Sequence, residues 1–258
     1  MSQHDATTTA IILAAGKGTR MNSDLPKVCH PIGGRPMVCA VVDACLKAGC
    51  DRVVVVVGYK QELVREALDG YDRVAYAVQD EQLGTGHAVR CAKGAFAGAE
   101  GDVFVLCGDG PLIRPDTLRR ILDVHRSAGA SCTLATSVID DPDGYGRIVR
   151  DEQGRFRAIV EQKNATDEQL GIREVNPSYY IFDTVKLFEA IEKVERNPLT
   201  GEYYVTDVPV LLAEAGDTVE VIDAVPPEDV LSINTLEHLA EVDRLFCERS
   251  ASTGGGKA

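Results

Sequence analysis

The residues best suited to chemistry lie close together near the start of the chain, within residues 10–27. An apolar run ends at Leu13 and passes into a loop of small residues, Ala14, Ala15, Gly16 and Gly18. Arg20 follows this loop, and Lys27 comes seven residues later. Glycines allow backbone N–H groups to approach a phosphate, and two fixed cations suit the charge of a triphosphate. The segment therefore predicts a triphosphate site at the end of the first strand, with Leu13 and the loop against the nucleotide.

This loop follows neither of the two common glycine-rich phosphate motifs. Met21 occupies the place of the third small residue of the dinucleotide-binding fingerprint, and Ile11 replaces the leading glycine of a P-loop. The alternative is a tight turn between a strand and a helix, with its charges facing water. The flanking Arg20 and Lys27, with Pro26 stiffening the backbone before the lysine, favour the phosphate site.

A second polar loop, residues 79–87, follows the third predicted strand. Gln79 and Gln82 offer donors and acceptors that suit the edge of a nucleobase, and Gly84 would let backbone groups complete the contact. Thr85 is placed to cap the following helix, and a plain capping loop is the alternative. Because open α/β sheets bind ligands at the carboxyl ends of their strands, we expect this loop to face the first one.

A third candidate stands at the end of the apolar run from Val103 to Cys107, which is followed by Gly108-Asp109. Mg²⁺ takes one or two protein oxygens and completes its shell with phosphates and waters. A carboxylate at the tip of a buried strand, beside a phosphate loop, suits that role. The alternative is that Asp109 caps the turn beginning at Pro111, but we expect it to bind Mg²⁺.

The second half of the chain carries scattered residues of the kinds that bind sugar hydroxyl groups, which are carboxylates, amides and tyrosines. Each signal is weak alone, and Asn234 could equally cap the final helix. The members of this set are Gly146, Glu161, Asn176, Tyr204, Thr206 and Asn234.

The elements that must position these residues alternate along the first half. Short runs rich in Val, Ile and Leu predict central strands covered on both faces, at residues 10–13, 52–57, 73–78, 103–107 and 132–138. Helical patterns lie between them, at residues 37–47, 61–68, 87–96 and 115–127. Pro115 and Gly129 bracket the last one as start and stop signals. The alternation predicts an α/β fold with a Rossmann-like, mostly parallel, three-layer sheet.

The second half differs in pattern. Residues 145–160 alternate about a polar turn and predict a β-hairpin, followed by a strand at 174–182 and a helix at 185–194. We expect one domain over residues 9–247, with a nucleotide-binding half at 9–140. A sugar-binding half at 141–230 would form an added lobe that covers the edge of the sheet. Residues 1–8 and 250–258 are expected to be flexible tails.

Bulk properties narrow the class of partner. The 258-residue chain has a formal net charge of −13, which argues against nucleic acid or an anionic membrane. No apolar run approaches the roughly 18 residues of a spanning helix, and residues 1–9 lack the features of a signal peptide. The eight cysteines contain no C-x-x-C pair, which favours reduced structural thiols. We expect a cytoplasmic protein that acts on small molecules.

Five separated motifs carry a resemblance to a known family: LAAGKGTRM, LPKV, EQLGTGHAV, YGRIVR with EQKNATDEQ, and GEYYVTDV. Together they resemble the sugar-1-phosphate nucleotidyltransferases, most of all the N-acetylglucosamine-1-phosphate uridylyltransferase domains of bifunctional bacterial enzymes. The likeness spans about residues 9–243. It implies that UTP and N-acetylglucosamine 1-phosphate are condensed to UDP-N-acetylglucosamine and pyrophosphate with Mg²⁺. Since the attacking phosphate oxygen is already ionised, positioning and charge neutralisation would suffice without a general base.

The resemblance also implies a role for each matching residue. Arg20 and Lys27 would hold the triphosphate, and Asp109 and Asn234 would ligate Mg²⁺. The uridine would lie against Ala14, Ala15, Gln79, Gln82, Gly84 and Thr85. The amino sugar would lie against Gly146, Glu161, Asn176, Tyr204 and Thr206.

Some positions depart from the family pattern. Cys107 stands where Tyr is frequent, Gly110 where Val is usual, and Pro177-Ser178 where the family has Thr-Gly. These changes bear on the sugar more than on the reaction, so glucose 1-phosphate or another hexose 1-phosphate is an alternative substrate. A non-catalytic nucleotide-sugar sensor is a further alternative, although it should have lost Arg20, Lys27 or Asp109, and this chain retains all three. The sequence contains no six-residue period, so we expect no acetyltransferase β-helix in it; the oligomeric state stays open.

Overall fold

A computed structural model describes residues 6–254 of the chain. The expected tail residues 1–5 and 255–258 lie outside this range. In chain order the strands and α-helices are β1 (Thr8–Ala14), β2 (Pro31–Ile32), β3 (Arg35–Pro36), α1 (Met37–Ala48), β4 (Arg52–Val57), α2 (Gln61–Ala67), β5 (Val74–Val78), α3 (Thr85–Ala92), β6 (Asp102–Cys107), α4 (Pro115–Ala128), β7 (Cys132–Val138), β8 (Gly146–Arg150), β9 (Phe156–Val160), α5 (Asp167–Leu170), β10 (Glu174–Asp183), α6 (Thr184–Ile191), α7 (Val208–Glu214), β11 (Val219–Asp223) and α8 (Leu236–Gly254).

Nine of these strands form one sheet whose main order is β11-β7-β10-β6-β1-β4-β5. Strand β1 runs parallel to both β4 and β6, β4 runs parallel to β5, and β7 runs parallel to β11. Strand β10 is antiparallel to both of its neighbours, and the β8–β9 hairpin joins the sheet through β10. The predicted α/β class, with its mostly parallel sheet and added hairpin, is confirmed.

The sheet has helices on both faces because its strands alternate between two cores. On β1, Ile12 packs into a core with α1, α2, α4 and α8, whereas Ile11 packs into a second core with α3, α6 and α7. Residues 53–57 of β4 are all valine and are completely buried, as expected for a strand covered on both sides. This three-layer arrangement places the carboxyl ends of β1, β4, β5 and β6 along one edge of the sheet.

The second half does more than cover the edge of the sheet, so that expectation was wrong. Strand β10 lies in the interior of the sheet, between β6 and β7. Its register shifts between Val175 and Tyr179, where Pro177 cannot donate a ladder hydrogen bond and Ser178 has φ +66°. The bulge therefore tolerates the proline in an interior strand and turns this stretch out of the regular pairing.

Both predicted tail boundaries also need correction. Thr8 already belongs to β1, and its backbone N–H donates to the Asp51 carboxylate at 2.9 Å. Helix α8 continues to Gly254, with the hydroxyl groups of Ser250 and Ser252 donating to carbonyls one turn earlier, both at 2.9 Å. Within the described residues, no helix is both long enough and apolar enough to cross a membrane.

Candidate active site

A cavity of about 300 Å³ opens at the carboxyl ends of β1, β5 and β6. The strand register brings these ends together, since Leu13 pairs with Cys107 and the N–H of Gly108 donates to the Leu13 carbonyl at 3.0 Å. All nine predicted nucleotide-binding residues line the cavity, together with Lys27 and Asp109: Leu13, Ala14, Ala15, Gly16, Gly18, Gln79, Gln82, Gly84 and Thr85. Other lining residues are Val28, Ala88, Cys107 and Glu202.

The first glycine-rich loop is held in shape at both of its ends. Gly18 adopts φ +72°, and its carbonyl accepts a hydrogen bond of 2.9 Å from the N–H of Met21, whose side chain is buried. A 3₁₀ turn over Thr19–Met21 directs Arg20 outward, and a second one over Lys27–Cys29 begins after Pro26. Lys27 therefore lies against the same glycine-rich loop that Arg20 follows in sequence.

The two predicted catalytic cations meet at Asn234. Its Oδ1 accepts from an Nη of Arg20 and from Nζ of Lys27, each at 2.8 Å. The same ammonium forms a salt bridge with the Asp109 carboxylate. The backbone ties these segments together, because the N–H of Ile233 donates to the Asp109 carbonyl at 3.0 Å. Four residues from three distant segments of the chain thus form one cluster beside the cavity.

The oxygens of this cluster fit a magnesium ion. The Asp109 carboxylate and the Asn234 amide oxygen converge on one positive charge, which is the Lys27 ammonium. They are the hard oxygen donors that Mg²⁺ prefers, although residues 6–254 contain no cluster of three or more His, Cys, Asp or Glu that could hold a metal. A magnesium ion here would therefore depend on substrate phosphates and water for most of its shell.

A second cavity of about 150 Å³ adjoins the first and shares Cys107 and Asp109 with it. Three of the five predicted sugar-binding residues line it, which are Gly146, Glu161 and Asn176. The other lining residues come from three segments: Gly144, Tyr145, Pro177, Ser178 and Ser232. Asp109 thus stands where the two cavities meet.

Tyr204 and Thr206, the other two predicted sugar contacts, do not line this cavity. The Tyr204 hydroxyl donates to Thr200 at 2.7 Å. Thr206 is buried in the 3₁₀ turn Val205–Asp207, and its hydroxyl donates to Glu161 at 3.3 Å. Thr206 therefore supports the position of the Glu161 carboxylate.

The carboxyl group of Glu161 has an elevated pKa. Burial raises the pKa above its usual value of 4.5, and the nearby carboxylates of Asp207 and Glu202 raise it further. The hydrogen bond from Thr206 opposes these effects. Charge on Glu161 is thus maintained less easily than on an ordinary surface glutamate.

One residue that lines the second cavity, Ser232, was missed in the sequence. Its hydroxyl accepts from the Asn234 amide at 3.1 Å. The sequence did contain a signal for Ser232. In an extended segment Ser232 and Asn234 point to one side and Ile233 to the other, and Ile233 is buried. Tyr203, in the GEYYVTDV motif, holds the second loop through its backbone: its carbonyl accepts from the N–H of Gly86 at 2.8 Å, and its N–H donates to the Leu83 carbonyl at 2.8 Å.

This fold and site define a nucleotidyltransferase. Residues 10–197 match the family described as the MobA-like NTP transferase domain, and the chain belongs to that family. It is similar to the bifunctional protein GlmU of Geobacter metallireducens, with 47% identity over 240 residues that cover 93% of this chain and 50% of the relative. The bifunctional protein GlmU of Clostridium acetobutylicum is 43% identical over 93% of this chain and 52% of its own length. The chain thus spans about half the length of the curated relatives it matches.

Solved structures share the fold. A UDP-glucose pyrophosphorylase complexed with UDP-glucose superposes with a TM-score of 0.76 and 19% sequence identity. The match covers 94% of this chain and 99% of that one. An apo UDP-glucose pyrophosphorylase matches with a TM-score of 0.74 and 18% identity.

Proposed function

We propose that this protein is a uridylyltransferase that condenses UTP with N-acetylglucosamine 1-phosphate, giving UDP-N-acetylglucosamine and pyrophosphate. The observation that carries the proposal is the meeting of the two cavities at Asp109, beside the cluster of Lys27, Arg20 and Asn234. A nucleotide in the larger cavity would present its α-phosphate there, and a phosphorylated sugar in the smaller cavity would approach it from the other side. We expect the reaction to take place in the cytoplasm.

The chemistry requires positioning and charge neutralisation. An oxygen of the sugar phosphate forms a new bond to the α-phosphorus, and the bond from that phosphorus to the oxygen bridging to the β-phosphate breaks. Arg20 and Lys27 would bind the triphosphate and neutralise the charge that passes to the leaving pyrophosphate. Asp109 and Asn234 would hold Mg²⁺, which supplies further positive charge to the phosphates. Glu161 and Asn176 would orient the sugar so that its phosphate reaches the α-phosphorus in line.

A second candidate substrate is glucose 1-phosphate. The observation that favours it is the wall of the smaller cavity, where Cys107, Pro177 and Ser178 stand together at the positions that depart from the family pattern. The structural neighbour named above was solved with UDP-glucose, which has no N-acetyl group. The reaction would be the same, and only the sugar would differ.

Pyrophosphate release tests these candidates directly. The protein is incubated with Mg²⁺ and each pair from a grid of four nucleoside triphosphates and several sugar 1-phosphates. We expect the highest kcat/KM with UTP and N-acetylglucosamine 1-phosphate. Faster turnover with glucose 1-phosphate would establish the second candidate. Tight binding of a nucleotide sugar without any pyrophosphate release would instead identify a sensor and overturn the proposal.

A further inference from the structure

The side chain of Gln79, in the wall of the larger cavity, has its amide nitrogen directed at two groups of the protein. Gln79 directly follows β5 and is only 3% exposed. Its Nε2 donates to the carbonyl of Gly84 at 3.0 Å and lies 3.1 Å from Nδ1 of His87. A glutamine amide carries two N–H donors, so both have an acceptor when Nδ1 of His87 carries no proton. Among the described residues, none donates a hydrogen bond to its Oε1.

The carbonyl of Gly84 is the first of two groups that favour one orientation of the amide. In the reversed orientation Oε1 would face the Gly84 oxygen at hydrogen-bond distance, and two acceptors would repel each other. Gly84 itself is fixed, since it adopts φ +101° and a Cβ there would lie 2.5 Å from the Tyr203 carbonyl oxygen. The loop therefore holds a rigid acceptor against Gln79.

His87 supplies the second acceptor if its Nδ1 is unprotonated. Its other ring nitrogen, Nε2, lies 3.8 Å from the sulfur of Cys91, one turn further along α3. Sulfur is a weak acceptor that can take the Nε2–H bond, which leaves Nδ1 to accept from Gln79. Cys91 thus contacts His87, His87 contacts Gln79, and Gln79 lines the cavity.

We propose that His87 is a positioning residue that, with the Gly84 carbonyl, makes Gln79 offer only its oxygen to the nucleobase and so selects uracil over cytosine. Uracil carries an N–H donor at position 3, whereas cytosine has an acceptor there. The cytosine acceptor would meet Oε1 and leave two buried acceptors unpaired, which a binding site penalises strongly. This inference rests on the proposed function, because it concerns the nucleotide that the same site takes.

The test compares UTP with CTP in the intact protein and in the variants His87→Ala and His87→Asn. We expect the UTP-to-CTP ratio of kcat/KM to fall about tenfold in His87→Ala, the effect of losing one hydrogen bond. The change should appear in KM, with kcat for UTP altered much less, because His87 does not contact the phosphates. Asparagine can place an amide oxygen near the position of Nδ1, so His87→Asn should restore most of the ratio. An unchanged ratio in His87→Ala, or an equal loss for both nucleotides, would overturn the inference.

Two further measurements separate this inference from the proposed function. Calorimetric binding of UTP and CTP to the wild-type protein tests base selection even if no sugar phosphate is turned over; equal affinities would contradict it. The ¹⁵N spectrum of the His87 ring at neutral pH should show Nδ1 without a proton. A protonated Nδ1 cannot accept from Gln79. Its detection would rule out the proposed role of His87, whether or not any variant folds.

Discussion

The side chain of Lys27 packs directly against the α-carbon of Gly18. A β-carbon built on Gly18 would lie 2.6 Å from Cβ of Lys27 and 3.1 Å from its Cδ. The glycine is therefore required for more than loop conformation, because it makes room for the lysine stem beneath the loop. The position of the Lys27 ammonium between Asp109 and Asn234 depends on this contact.

The substitution Gly18→Ala should accordingly damage both stability and turnover. Alanine would be strained at φ +72°, at a cost of about 1–2 kcal/mol, and its methyl group would displace Lys27. We expect kcat to fall at least about tenfold, since a misplaced cation no longer stabilises the transition state. Thermal unfolding and steady-state kinetics measure the two effects.

A matched control is Gly154→Ala. Gly154 has a similar φ of +77°, but a Cβ there meets no atom within 4 Å. It should share the backbone strain and leave kcat unchanged. If both variants lose the same activity, the contact with Lys27 is not the reason for the loss.

Removing the Lys27 cation should reduce kcat more than substrate affinity. Its charge is needed most when charge develops on the leaving pyrophosphate, so Lys27→Ala should reduce kcat about 100- to 1,000-fold, with a smaller change in KM for UTP. Lys17→Ala is the control, because the Lys17 ammonium lies 5.3 Å from the centre of the Tyr59 ring and outside the cluster. Near-normal turnover by Lys27→Ala would remove this residue from the mechanism.

The alternation of strands and helices could be predicted from local pattern, and so could the meeting of the two predicted nucleotide-binding loops at one cavity. Parallel strands end at one edge of a sheet, so loops after successive strands converge there whatever the details of packing. The interior place of β10 depends instead on pairing with β6 and β7, whose partners are distant in sequence. Proline is tolerated in an interior strand only at a bulge, and the bulge before Tyr179 accommodates Pro177.

The hydrogen-bond partners within the site could not be predicted from the sequence, because they too depend on residues that are distant along the chain. Gln79 was expected to offer a donor and an acceptor to the base, yet its donor side is directed to Gly84 and His87. Thr206, predicted to contact the sugar, donates its hydroxyl to the Glu161 carboxylate at 3.3 Å. Residue type sets which hydrogen bonds are available, but the choice among partners a few ångströms apart is made by tertiary packing.

Binding of the sugar phosphate should weaken at acid pH because of Glu161. Its pKa is raised by burial and by neighbouring carboxylates, so it loses its charge at a higher pH than an ordinary glutamate does. Protonation removes an acceptor for a sugar hydroxyl group, and KM for the sugar phosphate should therefore rise as pH falls through that elevated pKa. The phosphate of the substrate itself titrates near pH 6. The variant Glu161→Gln separates the titration of Glu161 from that of the substrate phosphate, because only the phosphate still titrates. The same pH profile of KM in the wild-type protein and the variant would exclude Glu161 as the cause.

The cysteines should differ sharply in reactivity. All eight are free thiols within the described residues, and Cys247 is the exposed one among them. Although Cys107 lines both cavities, burial raises the pKa of its thiol to about 12, and burial raises that of Cys29 to about 11. Thiolates react and thiols do not, so a disulfide reagent at pH 8 should label one site rapidly in the native protein. Cys247→Ser should abolish the rapid phase, and its persistence would mean that a buried thiol is accessible.

The buried carboxylate of Asp229 should be a main support of the C-terminal helix. Its side chain is 1% exposed and accepts from an Nη of Arg114 at 3.0 Å, and it also pairs with Arg249 on α8. Asp229→Asn removes the negative charge from hydrogen bonds to two partly exposed arginines, and hydrogen bonds to charged groups contribute about 1.5–3 kcal/mol each. Asp229→Asn should therefore lower the free energy of unfolding by about 3 kcal/mol in urea titrations. Glu228→Gln is the control, because Glu228 bonds the same Arg114 at 3.0 Å but is 52% exposed. It should cost less than about 1 kcal/mol, and equal losses would show that burial of Asp229 does not set the strength of this contact.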